Sequence, residues 1–180
     1  GKALLLVGDV SSKSIYAKDK TTAPIFSDAG SATLLEFAKT ASPMAFHFGT
    51  DGSGKEAIYM PDGGARNRFS ANSLVPADHN GILRRPMDMV LNGMDIFQFA
   101  LREVPNQVRT LLRQENLTIN NIEGIAFHQA NRLILKSIAR KLNLGHTPYF
   151  DTLSEYGNTG SASIPVTSNH CLSHKSEQKN

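Results

Sequence analysis

A chain of 180 residues with 40% hydrophobic, 7% aromatic and 19% charged residues has the balance of a globular protein rather than a disordered one. Its net charge of +3 is too small to argue for a nucleic-acid partner, and no aromatic residues interleave the basic ones as a single-strand binder requires. No apolar run reaches the length of a membrane span, no secretory signal opens the chain, and the lone Cys171 excludes an internal disulfide and a cysteine-based zinc cage, so a cytoplasmic protein is expected.

Ala3–Val7 (ALLLV) is a short continuous apolar run before Gly8 and Asp9, the pattern of a strand buried on both faces. FSDAGSA (Phe26–Ala32) reads as a small-residue turn, and Thr33–Ala38 and Met44–Phe48 as two further strands. Asp51–Gly54 and Asp62–Gly64 are turn clusters, after which the sequence is polar and irregular to about Arg85. Met94, Phe97, Leu101 and Val104 recur at helical spacing, and Val108, Leu111 and Leu112 continue the stripe. Pro105 lies within it and is expected to kink or split the helix, because it lacks an N–H and clashes with the preceding turn.

Beyond a turn at Asn120-Asn121, Ile122–Phe127 (IEGIAF) is expected to be a strand that delivers His128 at its carboxyl end. Arg132–Leu142 is a helix that ends near 143–145, with Leu135, Ile138, Ala139 and Leu142 on its buried face. Thr147–Phe150 is a short strand. A last helix begins near Asn158-Thr159 and runs towards Cys171, with Pro165 implying a kink or a delayed start. Helices alternating with strands make the class α/β, in which functional groups gather beyond the carboxyl ends of strands. Gly1 leads directly into the first apolar run and the chain closes on the polar tail HKSEQKN, so both ends read as cuts in something longer.

HQAN (His128–Asn131) and EYGNTGSASIP (Glu155–Pro165) place a histidine and an asparagine where the two can meet. A neutral imidazole and a carboxamide each offer an N–H without adding negative charge, and two such donors aimed at one point form an oxyanion hole. The alternative is plainer: His128 is a satisfied core histidine and Asn158 a helix cap. Arg132, Lys136 and Arg140 follow at i, i+4 and i+8, a basic stripe that suits an acidic partner or a phosphate-bearing substrate, or is simply a solvated helix face.

HQAN followed by GNTGSASIP resembles the β-ketoacyl-acyl-carrier-protein synthase III family, and FSDAGSA looks like a variant of that family's FGDGAGA turn. The Pro105-bearing helix MDIFQFALREVPNQVRTLL resembles the family's as well. The resemblance implies a thiolase-like fold, layered αβαβα and truncated here at both ends. Residues 1–42 would be the last strands of its N-terminal half and residues 43–180 most of its C-terminal half. It implies that His128 and Asn158 are catalytic, holding the thioester carbonyl of malonyl-acyl carrier protein as CO₂ leaves. The enolate then attacks an acyl group carried on a cysteine and yields a 3-oxoacyl product. Asn131 matches the asparagine near the pantetheine arm, and Arg132, Lys136 and Arg140 would meet coenzyme A phosphates or the acidic carrier protein. Acyl-coenzyme A and malonyl-acyl carrier protein are the implied partners, coenzyme A thioester and phosphopantetheine enter only as substrate groups, no other cofactor or metal is implied, and a homodimer is expected. The family's nucleophilic cysteine has no match in this sequence, so these residues alone are expected to be inactive.

The same residues admit rival readings. Cys, His and Asn form the papain-type constellation, but Cys171 lies deep in the last helix with no protease signature around it. A non-condensing acyltransferase, or a homologue that binds acyl chains or carrier protein without reacting, would share the same positions. His47, His79 and His146 lack a common ligand spacing, and His170 and His174, although i and i+4, lack the glutamate of a zinc protease and read as surface residues.

Overall fold

The first apolar run forms strand β1 (Lys2–Asp9), which pairs antiparallel with β2 (Ala29–Glu36) in a two-stranded sheet. The computed structural model describes residues 1–79 and 81–177, with residues 174–177 described by their backbone alone. β1 is not buried on both faces as its continuous apolar run suggests: Leu4, Leu5 and Leu6 are all exposed, as are Leu34 and Leu35 on β2. No described helix or second sheet layer covers the pair broadly, so side chains of both parities meet solvent. The expected turn at FSDAGSA is also shorter than predicted, because Ala29–Ala32 belong to β2. Gly8 faces Gly30 across the ladder, and a side chain on Gly8 would stand 3.3 Å from the Ala29 carbonyl oxygen and the Gly30 Cα.

Met44–Phe48 forms no strand; Phe46 and Phe48 instead stack their rings in an irregular segment. The polar stretch before Arg85 contains more order than its composition suggests. β3 (Ile58–Tyr59) pairs with β6 (Val90–Leu91), and β4 (Ala77–His79) forms a hairpin with β5 (Ile82–Arg84). The buried Arg84 guanidinium donates to Asp19 at 2.5 Å and to the Thr21 hydroxyl at 3.0 Å, which ties this hairpin to residues 19–22.

Helix α1 (Gly93–Gln114) starts on Asn92, whose side chain accepts from the Asp95 N–H. It runs unbroken through Pro105, so the expected split does not occur; the proline is buried inside the helix. The hydrophobic stripe of α1 packs on α2 (Arg132–Leu142), whose bounds are those read from the sequence. Ile134, Leu135, Ile138 and Leu142 are buried on α2, whereas Ala139 is only half-buried. Asn143 ends α2 in the left-handed region at φ 57°. Together with Ala100, Phe127 and Leu144 these side chains make one core.

The expected strands Ile122–Phe127 and Thr147–Phe150 reduce to one parallel bridge between Ile125 and Tyr149. Ile125 N–H donates to the Pro148 carbonyl at 3.0 Å, and Phe150 N–H donates back to Ile125 at 3.2 Å. Glycine at 124 and proline at 148 limit the ladder to this length. A short helix, α3 (Leu153–Tyr156), and a 3-10 turn at Gly160–Ala162 lead into α4 (Ser163–Glu177). The delayed start is the one Pro165 demands: it stands in the first turn, where its missing N–H removes no helical hydrogen bond. Of the two histidines read as a surface pair, the side chain of His174 lies outside the described residues.

Candidate active site

His128 leaves the extended segment between two buried neighbours, Phe127 and Gln129. The Gln129 carboxamide is used at both ends. Its Nε2 donates to the carbonyls of Phe127 (2.9 Å) and Phe150 (3.1 Å), and its Oε1 accepts from the Thr152 N–H at 2.9 Å. These hydrogen bonds on a residue 1% exposed lock the backbone beside the histidine. Asn131 then caps α2, its Oδ1 accepting from the Ile134 N–H at 2.8 Å. The imidazole itself meets Ser163 at the start of α4, with Nδ1 and Oγ 2.6 Å apart. It is no core histidine: the residue is exposed. Protein atoms nevertheless crowd the ring, and this partial desolvation lowers its pKa below the ordinary imidazole value, against a smaller opposing effect of the Gly160 carbonyl.

Asn158 is positioned by a different part of the chain. It forms a parallel bridge with Phe26, donating its N–H to the Ile25 carbonyl at 3.1 Å and accepting from the Ser27 N–H at 2.9 Å. The Ser27 hydroxyl donates to the Tyr156 carbonyl in the same seam. Gly157, at φ +67°, lets the chain pass this close: a Cβ there would stand 2.9 Å from Ser27 Oγ. The FSDAGSA segment therefore acts as a backbone edge on which Asn158 is laid. Asn158 does not cap α4. It is buried, and its Oδ1 accepts from the Gly160 N–H at 3.1 Å, a local turn that leaves the Nδ2 amide as its donor group. Asp9 at the end of β1 completes the loop by accepting from the Ser161 N–H at 2.6 Å.

His128 and Asn158 line the same cavity, of about 460 Å³. Its walls are largely apolar, from Ile25, Phe26, Ile96, Phe99, Phe127 and Ile134 among others, and Asn131 and Thr21 add two further polar side chains. A greasy cavity with a few converging donors suits a substrate that carries an apolar chain and one carbonyl to be held in place. Two uncharged N–H groups there can stabilise a developing oxyanion more strongly than water would, because the low-polarity walls screen them little.

The profile described as 3-oxoacyl-[acyl-carrier-protein] synthase III matches residues 1–52, and that of the C-terminal part of the same enzymes matches residues 112–180. The chain belongs to the 3-oxoacyl-[acyl-carrier-protein] synthase III family. A β-ketoacyl-[acyl-carrier-protein] synthase III of Limosilactobacillus reuteri is 31% identical over 174 residues, 96% of this chain and 51% of the relative. A 3-oxoacyl-(acyl-carrier-protein) synthase III crystal structure superposes with a TM-score of 0.89 at 29% identity, over 97% of this chain and 52% of that one. A 3-oxoacyl-(acyl-carrier protein) synthase of Burkholderia xenovorans LB400 gives 0.78 at 34% identity, over 92% and 46%. The chain thus spans about half the length of the relatives it matches. The α/β architecture expected from the sequence, the thiolase fold, is the one shared with these neighbours.

Within this family member the remaining candidate residues divide. Asn131 borders the cavity, although its Oδ1 serves the helix cap, leaving its amide N–H groups for a ligand. Arg132 is committed elsewhere, donating to Asp151 at 2.8 Å and to Ser154 Oγ at 2.8 Å. Lys136 and Arg140 stand exposed on the same helix face, outside the cavity lining. Cys171 lines a separate groove with Glu123, Ala126 and Phe150 and is absent from the cavity of His128 and Asn158, which removes the papain-type reading. Among the described residues no three His, Cys, Asp or Glu side chains cluster as a metal site would need, and no helix is long and apolar enough to cross a membrane. Gln129 and Ser163 stand inside the HQAN and EYGNTGSASIP motifs without a task that sequence alone assigns, and Asp9 escapes sequence reasoning. The signal for Asp9 was weak, an acid ending a strand, and its partner is 152 positions away.

Proposed function

We propose that these residues are the enolate-stabilising half of a β-ketoacyl-acyl-carrier-protein synthase III, a transferase that condenses an acyl thioester with malonyl-acyl carrier protein in fatty-acid biosynthesis. The observation that carries this reading is that His128 and Asn158, held by separate parts of the chain, border one apolar cavity. In the proposed reaction the malonyl thioester carbonyl accepts from both side chains. The C–C bond to the carboxylate breaks, CO₂ leaves, and the electron pair moves onto the α-carbon and the carbonyl oxygen, where the two N–H groups hold the charge. The α-carbon then attacks an acyl thioester, forming the new C–C bond and expelling the thiolate that carried the acyl group. The acyl-bearing thiol comes from outside these 180 residues, because Cys171 faces another groove. Coenzyme A and phosphopantetheine take part as portions of the substrates and not as bound cofactors, and Lys136 and Arg140 are the basic groups best exposed to meet their phosphates or the carrier protein. The same reading makes the enzyme cytoplasmic and a homodimer.

The test is condensation of acyl-coenzyme A with malonyl-acyl carrier protein. In the enzyme that carries these residues, His128→Ala and Asn158→Ala are each expected to lower turnover by about 10²–10³. The 180-residue chain alone is expected to give no 3-oxoacyl product. Clear turnover by that chain, or unchanged turnover in both variants, overturns the proposal.

A further inference from the structure

We propose that Ser163 is a positioning residue for His128: its hydroxyl donates to Nδ1 and so fixes the imidazole N–H on Nε2. The argument is one of hydrogen-bond accounting. A neutral imidazole has one N–H and one lone pair, and a useful oxyanion donor needs the N–H on the nitrogen that faces the substrate. Nδ1 is engaged by Ser163 Oγ at 2.6 Å, which leaves Nε2 as the other ring nitrogen of a residue that lines the cavity. Ser163 is 2% exposed, so its hydroxyl hydrogen has no access to bulk water. The acceptor it meets among the described residues is His128 Nδ1. Were Nδ1 protonated and donating to Oγ, the hydroxyl hydrogen would be buried without an acceptor, an arrangement folded proteins avoid. With the hydroxyl donating, both groups are satisfied. Ser163 is fixed in turn: it opens α4, and its N–H donates to the Gly160 carbonyl. That carbonyl also lies near the ring and favours its protonated form, against the crowding that opposes it. The buried Ser163 hydroxyl at Nδ1 is therefore the group that selects the tautomer.

This inference rests on the proposed role of His128 as a donor, and its test reads the tautomer with no substrate present. The chain is labelled with ¹⁵N-histidine, and long-range ¹H–¹⁵N correlations are recorded above the imidazole titration, the His128 signals being assigned by their loss in His128→Gln. The parent is expected to show a single Nε2–H tautomer. Ser163→Ala is expected to populate the Nδ1–H form as well, and Ser163→Thr, which keeps the hydroxyl, to retain Nε2–H. An Nδ1–H parent, or a Ser163→Ala spectrum identical to the parent's, overturns the proposal. Should Ser163→Ala not fold, the parent and Ser163→Thr spectra decide it by the same criterion. If the tautomer behaves as expected and the His128→Ala enzyme condenses normally, the hydrogen bond stands and the functional reading falls.

Discussion

The two donors of the candidate site are held in unlike ways. His128 belongs to the region from α1 to α2, which makes its own core: Leu135 is 0% exposed, and Ile134, Ile138, Leu142 and Phe127 surround it. Asn158 is held largely by the first thirty residues, where the apolar side chains of β1 are not covered and Leu6 is 67% exposed. What fixes Asn158 there is backbone hydrogen bonding at Ile25 and Ser27 and one carboxylate, Asp9. One donor is thus set by hydrophobic packing and the other by a polar seam, and substitutions in the two regions should differ in kind as well as size.

The largest effect is expected in the packed region. Leu135→Ala removes a fully buried side chain from between α1 and α2, and the cavity left behind costs about 2–5 kcal/mol. Leu6→Ala on β1 changes a side chain already in water and is expected to shift stability by no more than about 0.5 kcal/mol. Urea unfolding of the two variants measures both. Equal losses would mean that the β1 face is buried in solution and would erase the contrast.

The same contrast explains what could be read in advance. The bounds of α2 were legible because a helix carries its own period, its Asn131 cap and its Asn143 stop within a dozen residues. That His128 and Asn158 could meet was legible because their motifs are local in sequence, and both line one cavity. Burial of β1 was not legible: a run such as ALLLV states that a strand is apolar but not whether anything covers it. The strands expected at Ile122–Phe127 and Thr147–Phe150 shrank to one bridge, since pairing length depends on a partner distant in sequence. Continuity of α1 through Pro105 shows tertiary packing overriding a local breaker. Asp9, Ser27 and the pairing of Ser163 with His128 lay beyond reach because each joins residues tens of positions apart.

A second pair of variants sharpens the comparison within the polar seam. Gly160 has φ +58°, and a Cβ there would collide with the Asp9 carboxylate. Gly160→Ala should therefore cost about 1–3 kcal/mol from backbone strain, beyond whatever displacing Asp9 adds. The double variant with Asp9→Ala removes the carboxylate from the collision, leaving the residue-9 Cβ at 3.1 Å, and does not relieve the strain. It is expected to recover part of the loss, a non-additivity that denaturant titration of the two singles and the double would register. Strict additivity would mean that Asp9 and Gly160 are not in contact in solution.

The smallest effect is the pH dependence of the two donors' supports. The Ser161 backbone N–H, and then its hydroxyl, hold the Asp9 carboxyl below the usual carboxylate range. A depressed carboxylate pKa stabilises the fold above the unfolded value and loses that contribution as pH falls through the lower folded value. His128 is depressed for the opposite reason, crowding that disfavours its charge. The unfolded chain then binds the imidazole proton first, so stability declines as pH drops from the ordinary imidazole value towards the folded one. Two windows follow, the imidazole window at higher pH and the carboxylate window below it. Asp9→Asn keeps the first and is expected to flatten the second by about 0.5–1.5 kcal/mol, the scale of one hydrogen bond. Other depressed carboxylates, Asp19 and Asp151 among them, titrate in both proteins and cancel in the difference. Stability measured from pH 7 to pH 3 in parent and Asp9→Asn isolates the term. A difference that appears in the imidazole window instead would couple Asp9 to His128 through the Gly160–Ser161 turn, and the two regions would then act on the site as one.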